Sequence, residues 1–183
     1  MRALDVIATQ RINDLPANLQ DVPSAIIDDL ITWISAGPCH IRTCCQGMYE
    51  DFDFFEMAWP KSRFGRLSEI DLSIYSMLVF RHKLLPFPLP NAVEQYALFN
   101  MLKFDNEIYD VGQLVTTQLL HILGLDDNTN LTPGYVCSTM NGHIMLRVGY
   151  PWYPNKIILT PGDIITSPVA IDVTNEGKGG EQK

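Results

Sequence analysis

No stretch of this sequence holds the roughly 20 consecutive apolar residues of a membrane-spanning helix. Its N-terminus, MRALDVIATQRINDL, is interrupted by acidic and polar residues where a signal peptide needs an apolar centre. The expectation is an intracellular protein. Positive charge is scarce as well: 13 Lys and Arg stand against 21 Asp and Glu, a net charge of −8. Nucleic acid and anionic membranes are held by a Lys/Arg surplus, so no nucleic-acid partner and no membrane are expected. Lys61, Arg63 and Arg66 form the one small basic cluster in the sequence. There are only four cysteines, at 39, 44, 45 and 137, and two of them are adjacent, which is no disulfide framework for 183 residues. Reduced thiols are expected, and the sequon Asn130-Leu131-Thr132 then has no meaning as a glycosylation site.

Catalytic signatures are missing too. The sequence has no Gly-rich phosphate loop, no Gly-x-Ser-x-Gly elbow and no His-Glu-x-x-His. Cys39, His40, Cys44 and Cys45 are the only cluster with metal-binding residue types. Zinc wants four tetrahedral ligands, and adjacent cysteines do not easily serve one ion, so Cys137 and His143 would have to complete such a site. The plainer expectation makes Cys44 and Cys45 small apolar residues, at least one facing the core. A cysteine nucleophile with His40, His82, His121 or His143 as its base has no local signature to single out a pair. Asp51-Phe52-Asp53 spaces two carboxylates as a metal-binding site does, but residues this common say little. No catalytic residue, metal or cofactor is expected.

What the sequence does hold is 46% hydrophobic and 19% charged residues, without repeats or low complexity, a globular balance suited to a single compact domain over 1–183. Its best-specified stretch is Asp21 to Pro38. Pro23 suits a first helical position, Gly37-Pro38 a stop, and Ile26, Ile27, Leu30, Ile31, Trp33 and Ile34 recur at helical spacing. A short apolar segment, Leu4 to Ala8, precedes it. Ile41, Cys44, Cys45 and Met48 suggest a second helix, and Phe52, Phe54 and Phe55 a strand or extended segment among solvated acids. Ser68 with Asp71 opens a third helix carrying Ile70, Ile74, Met77, Leu78 and Phe80. The prolines of Leu84 to Pro90 make a rigid connector, Asn91 with Glu94 opens a fourth helix, and Val111 to Leu123 is a fifth with Gly124 as its stop. From Tyr135 the pattern changes to two hairpins, one turning at Asn141-Gly142 and one at Pro161-Gly162, with Pro168 weakening the last strand. The expected fold class is α+β: about five helices in a mainly helical part, 1–124, then an antiparallel β-hairpin part, 135–174, and a tail, 175–183, that is flexible or held by a partner.

The segment Val22 to Phe52, VPSAIIDDLITWISAGPCHIRTCCQGMYEDF, resembles an F-box. Val22-Pro23 stands for that family's Leu-Pro start. Ile26, Ile27, Leu30, Ile31 and Ile34 stand for its first helix, and Ile41, Cys44, Cys45 and Tyr49 for its second. The resemblance implies docking on the BTB-fold adaptor of a cullin-RING ubiquitin ligase, with Pro23, Ile27, Leu30, Ile31, Trp33 and Ile34 as the partner-binding residues. The leading expectation is therefore a non-catalytic protein-protein interaction protein, an F-box-like adaptor. The alternative is a structural subunit of a larger assembly such as a virus particle, binding copies of the other subunits. A Cys- or metal-dependent enzyme comes last.

Overall fold

A computed structural model describes residues 1–11, 39–113 and 134–176 of the chain. Its centre is a six-stranded sheet: β1 (Val6–Arg11), β2 (Cys39–Cys44), β3 (Phe54–Met57), β4 (Ser62–Gly65), β5 (Tyr75–His82) and β6 (Ala170–Asp172). They lie in the order β4-β3-β2-β1-β5-β6, and every neighbouring pair is antiparallel. Three whole α-helices accompany the sheet among the described residues, α1 (Asn91–Lys103), α2 (Cys137–Arg147) and α3 (Pro161–Ile165), and residues 111–113 are helical as well. None is long and apolar enough to cross a membrane.

Strand alternation divides the core into two layers. Val6, Ala8, Ile41, Phe55, Met57 and Phe80 point to one side, where they meet Met101 of α1 and Met140, Ile144 and Met145 of α2, with Trp152, Leu159 and Ile164 closing the layer. Ile7, Cys44 and Phe54 point to the other side, against Ile70. At β1, β2 and β3 the sheet is thus covered on both faces.

This corrects the expectation of five helices followed by two hairpins. The segment read as a second helix, with Ile41, Cys44 and Cys45, is strand β2 and the turn after it. The segment read as a third helix is a short 3-10 turn, Leu67–Glu69, followed by strand β5. The spacing of Ile74, in the turn before β5, and Leu78 within it fits a strand's two-residue period as well as a helix, and the aromatic and β-branched residues Tyr75, Val79 and Phe80 favour the strand. Five of the six strands therefore fall in the part expected to be mainly helical. The fourth helix stands, as α1, while the connector before it is not extended throughout: it turns at Lys83–Leu84 and bends at Phe87–Pro88, whose peptide bond is cis. The first expected helix, all but the start of the fifth (Val111 to Leu123), and residues 177–183 of the tail lie outside the described residues.

The two expected hairpins are helices α2 and α3. Asn141-Gly142 sits inside α2 because both residues serve packing there rather than a turn. The Asn141 amide donates to Thr43 Oγ1 at 2.7 Å and accepts from Trp152 Nε1 at 2.8 Å, with all three residues buried. A Cβ on Gly142 would lie 2.8 Å from Leu159 Cδ1, so glycine lets the 157–159 segment approach the helix. Pro161-Gly162 opens α3 instead of turning a hairpin: Thr160 accepts from the Asp163 N–H, and Asp163 reaches back to the Thr160 N–H at 2.7 Å. That reciprocal cap, with Pro at the start, specifies a helix N-terminus. Of the expected β part, only Ala170–Asp172 is strand, and it pairs with β5.

Candidate active site

The registered pairing of β2 with β3 runs from Cys44↔Phe54 to Arg42↔Glu56 and stops, leaving His40 and Ile41 beyond the paired stretch. Arg42 faces Glu56 directly. His40 lies two residues along β2 on the same face, near enough for its Nε2 to lie 3.0 Å from Glu56 Oε2. The N-terminus of α2 comes in against this stretch of β2. It is placed there by the approach of its own chain: Tyr135 forms a parallel bridge with Tyr109, and the Val136 N–H donates to Gln113 Oε1 at 3.0 Å. One turn further along α2, Asn141 bonds Thr43 of β2. These ties bring Cys137, the first residue of α2, to His40. The thiol and the imidazole are hydrogen-bonded, and the Cys137 sulfur also accepts from the backbone N–H groups of Ile41 and Ser138.

The protonation states follow from this geometry. Burial disfavours a charged Glu56, but the bond and charge of His40 and the guanidiniums of Arg42 and Arg63 outweigh it and hold the carboxyl at about 2. An ionised carboxylate only accepts, so His40 Nε2–H is the donor and Nδ1 is the nitrogen left for the thiol. Burial also works against a Cys137 thiolate, yet the His40 charge, its hydrogen bond and the two backbone N–H groups bring the thiol below its ordinary value. His40 rises correspondingly: burial and Arg42 oppose its charge, and Cys137 and Glu56 overcome them. A helix N-terminus favours the anion further. Cys44 and Cys45 show the contrast. Burial, with no imidazole on the sulfur, pushes them up to about 11 and about 12.

Glu56 is itself held on three sides. Oε2 takes His40 Nε2, with Arg42 Nε 2.7 Å away, and Oε1 accepts from Arg63 Nε at 2.9 Å. The Arg42 N–H is not aimed at the oxygen, so that pair is an ionic contact rather than a hydrogen bond. Cys137, His40 and Glu56 form a chain in which each group touches the next. A metal site needs donors converging on one point, and among the described residues no three His, Cys, Asp or Glu side chains do so.

The residues named from sequence fare unevenly. Pro23, Ile27, Leu30, Ile31, Trp33, Ile34 and His121 lie outside the described residues. Cys44 and Cys45 are fully buried, as small apolar residues would be. His143 stands edge-on to the Tyr135 ring, and His82 packs on Tyr150 and Trp152, so neither meets the Cys137 thiol in the way His40 does. Asp53 anchors the Leu67 N–H, and Asp51 is exposed. Sequence reasoning missed Glu56 by counting it among solvated acids. It named Cys137 and His40 separately without joining them.

No family model matches the chain, and no curated protein matches it. Among solved structures it is similar to one titled "Crystal structure of metalloprotein yiiX from Escherichia coli O157:H7, DUF1105", at 12% identity, with 94% of this chain and 96% of that chain covered and a TM-score of 0.44.

Proposed function

We propose that this chain is a cysteine-dependent acyl-transfer enzyme, a hydrolase of an ester, thioester or amide, rather than a non-catalytic adaptor or assembly subunit. The observation that carries this reading is the Cys137 thiol at a helix N-terminus, joined to His40, whose other ring nitrogen is held by ionised Glu56. A buried relay of this kind supplies the nucleophile, base and orienting group that acyl transfer needs.

In the reaction the Cys137 thiolate attacks the acyl carbonyl carbon. The oxyanion of the tetrahedral intermediate develops beside the N-terminal N–H groups of α2. His40 gives its Nδ1 proton to the departing alcohol, thiol or amine, and a thioester forms on Cys137. Water then attacks the thioester with His40 as base, releasing a carboxylic acid and restoring the thiol. Glu56 keeps the ring oriented throughout and balances the imidazolium charge.

Cys137 is only 2% exposed, so the test uses small reagents. At pH 6, iodoacetamide is expected to alkylate Cys137 well ahead of Cys44 and Cys45, as read by peptide mass spectrometry, and His40→Ala is expected to remove that preference. With p-nitrophenyl acetate, an acetyl mass should appear on Cys137, and nitrophenol release should vanish in Cys137→Ser. Release that survives in Cys137→Ser, or alkylation of Cys137 no faster than of Cys44, overturns the reading.

A further inference from the structure

Two guanidiniums that acyl transfer does not require meet the relay at Glu56, and one of them is held there tightly. Arg42 lies directly opposite Glu56 in the β2–β3 register and places Nε 2.7 Å from Oε2, the same oxygen that receives the His40 Nε2–H. Its position is enforced: its side chain is 16% exposed, and a terminal guanidinium nitrogen donates to Thr9 Oγ1 at 2.5 Å across the β1–β2 pair. Arg63 meets the other carboxylate oxygen, but its side chain is 52% exposed and is shared with Glu69 at 2.9 Å, so solvent and a second carboxylate temper its charge. The charged and titratable groups facing the His40–Glu56 pair are therefore Cys137 from α2, Arg42 from β2 and Arg63 from β4, with Glu69 behind Arg63. From β1 comes Thr9, which is uncharged.

We propose that Arg42 is a positioning residue of this site: by sharing Oε2 with the imidazole, it limits how strongly Glu56 draws on His40 and so sets the alkaline limit of the Cys137–His40 ion pair. With Glu56 alone, a buried imidazolium next to a buried carboxylate would hold its proton tightly and be a poor acid toward a leaving group. A guanidinium on the same oxygen takes up part of the carboxylate's charge and repels the imidazolium, in keeping with the lowering influence of Arg42 on His40. The proton then stays available for transfer.

This proposal rests on the acyl-transfer reading, but its test does not depend on turnover. The His40 ring is titrated by NMR in the wild type, Arg42→Gln, Arg42→Lys and Arg63→Gln. The Arg42→Gln midpoint is expected to move to higher pH, Arg42→Lys to stay near the wild type, and Arg63→Gln to move less than Arg42→Gln. The alkaline limb of Cys137 acetylation by p-nitrophenyl acetate should move with the midpoint. Thr9→Val, which keeps the side-chain shape but releases the guanidinium anchor, should move the midpoint in the same direction and serves if Arg42→Gln does not fold. A folded Arg42→Gln or Thr9→Val protein whose His40 midpoint is unchanged or lower overturns the proposal. A shifted midpoint without any acetyl group on Cys137 would leave the role of Arg42 standing and overturn the acyl-transfer reading instead.

Discussion

Replacing Glu56 by Gln keeps the side chain's shape and an acceptor for His40 but removes the charge, which makes it the sharpest probe of the relay's energetics. Folding takes the carboxyl from its usual value of 4.5 to about 2. At about 1.4 kcal/mol for each tenfold change, that corresponds to about 3 kcal/mol of stability at neutral pH. Glu56 is 3% exposed, so solvent screening takes little from this figure. The sign follows from the direction: a depressed folded value gives stability that is complete above about 4.5 and is lost as pH falls towards 2. The variant should therefore be about 3 kcal/mol less stable than the wild type at pH 7, and the gap should narrow through pH 4 and close towards pH 2. Urea unfolding followed by tryptophan fluorescence at pH 7, 4 and 2.5 measures it, and carboxylates titrating alike in both proteins cancel in the difference. The charge of Arg42, left without its carboxylate in the variant at neutral pH, works in the same direction. A gap of equal size at pH 7 and 2.5 would refute the electrostatic reasoning and make Glu56 a packing residue.

Two further outcomes follow from buried polar groups elsewhere. Asn141→Leu strands the Trp152 Nε1–H and deprives Thr43 of its donor in a region without water access, so a loss of about 2 to 4 kcal/mol is expected in thermal or urea unfolding. The same variant should slow iodoacetamide alkylation of Cys137, because this bridge fixes α2 against the strand that carries His40. Asp5→Ala removes the carboxylate that accepts from both Nε and a terminal nitrogen of buried Arg81 at 2.8 Å, leaving Glu176 as that guanidinium's carboxylate among the described residues. A loss of about 3 to 5 kcal/mol is expected by urea unfolding, with Cys137 alkylation preserved.

Much of the sheet was hidden in the sequence because it is covered on both faces. A strand that buries both sides loses the apolar-polar alternation that would announce it. In β2, His40 and Arg42 belong to the relay, Thr43 takes the Asn141 amide and Ile41 enters the main core, so polar residues appear at positions that a pattern assigns to solvent. Cys44 and Ile41 are three apart and look helical for that reason alone. In β3, also buried on both faces, the adjacent aromatics Phe54 and Phe55 favour the strand, and there the extended reading holds. Helix α3 shows the opposite fault. Its reciprocal Thr160–Asp163 cap is written in the sequence, but Pro161-Gly162 also fits a turn, and only the cap's side-chain bonds decide between the two.

The relay was hidden for a different reason: each member has an ordinary local context, and the chemistry arises from their meeting. Three of the chain's cysteines make this plain. Cys44, Cys45 and Cys137 are all buried, and burial raises a thiol's pKa in each case. Only Cys137 has an imidazole and two backbone N–H groups on its sulfur, and only there is the direction reversed. Its partner is supplied by a strand distant in sequence, and that strand's own charge is set by a carboxylate on the next one. Asn141-Gly142 carried the clue in a form easily misread. The pair that suggests a hairpin in isolation is what lets α2 lie close against Leu159 and bond to Thr43 and Trp152, and without that approach Cys137 would not meet His40.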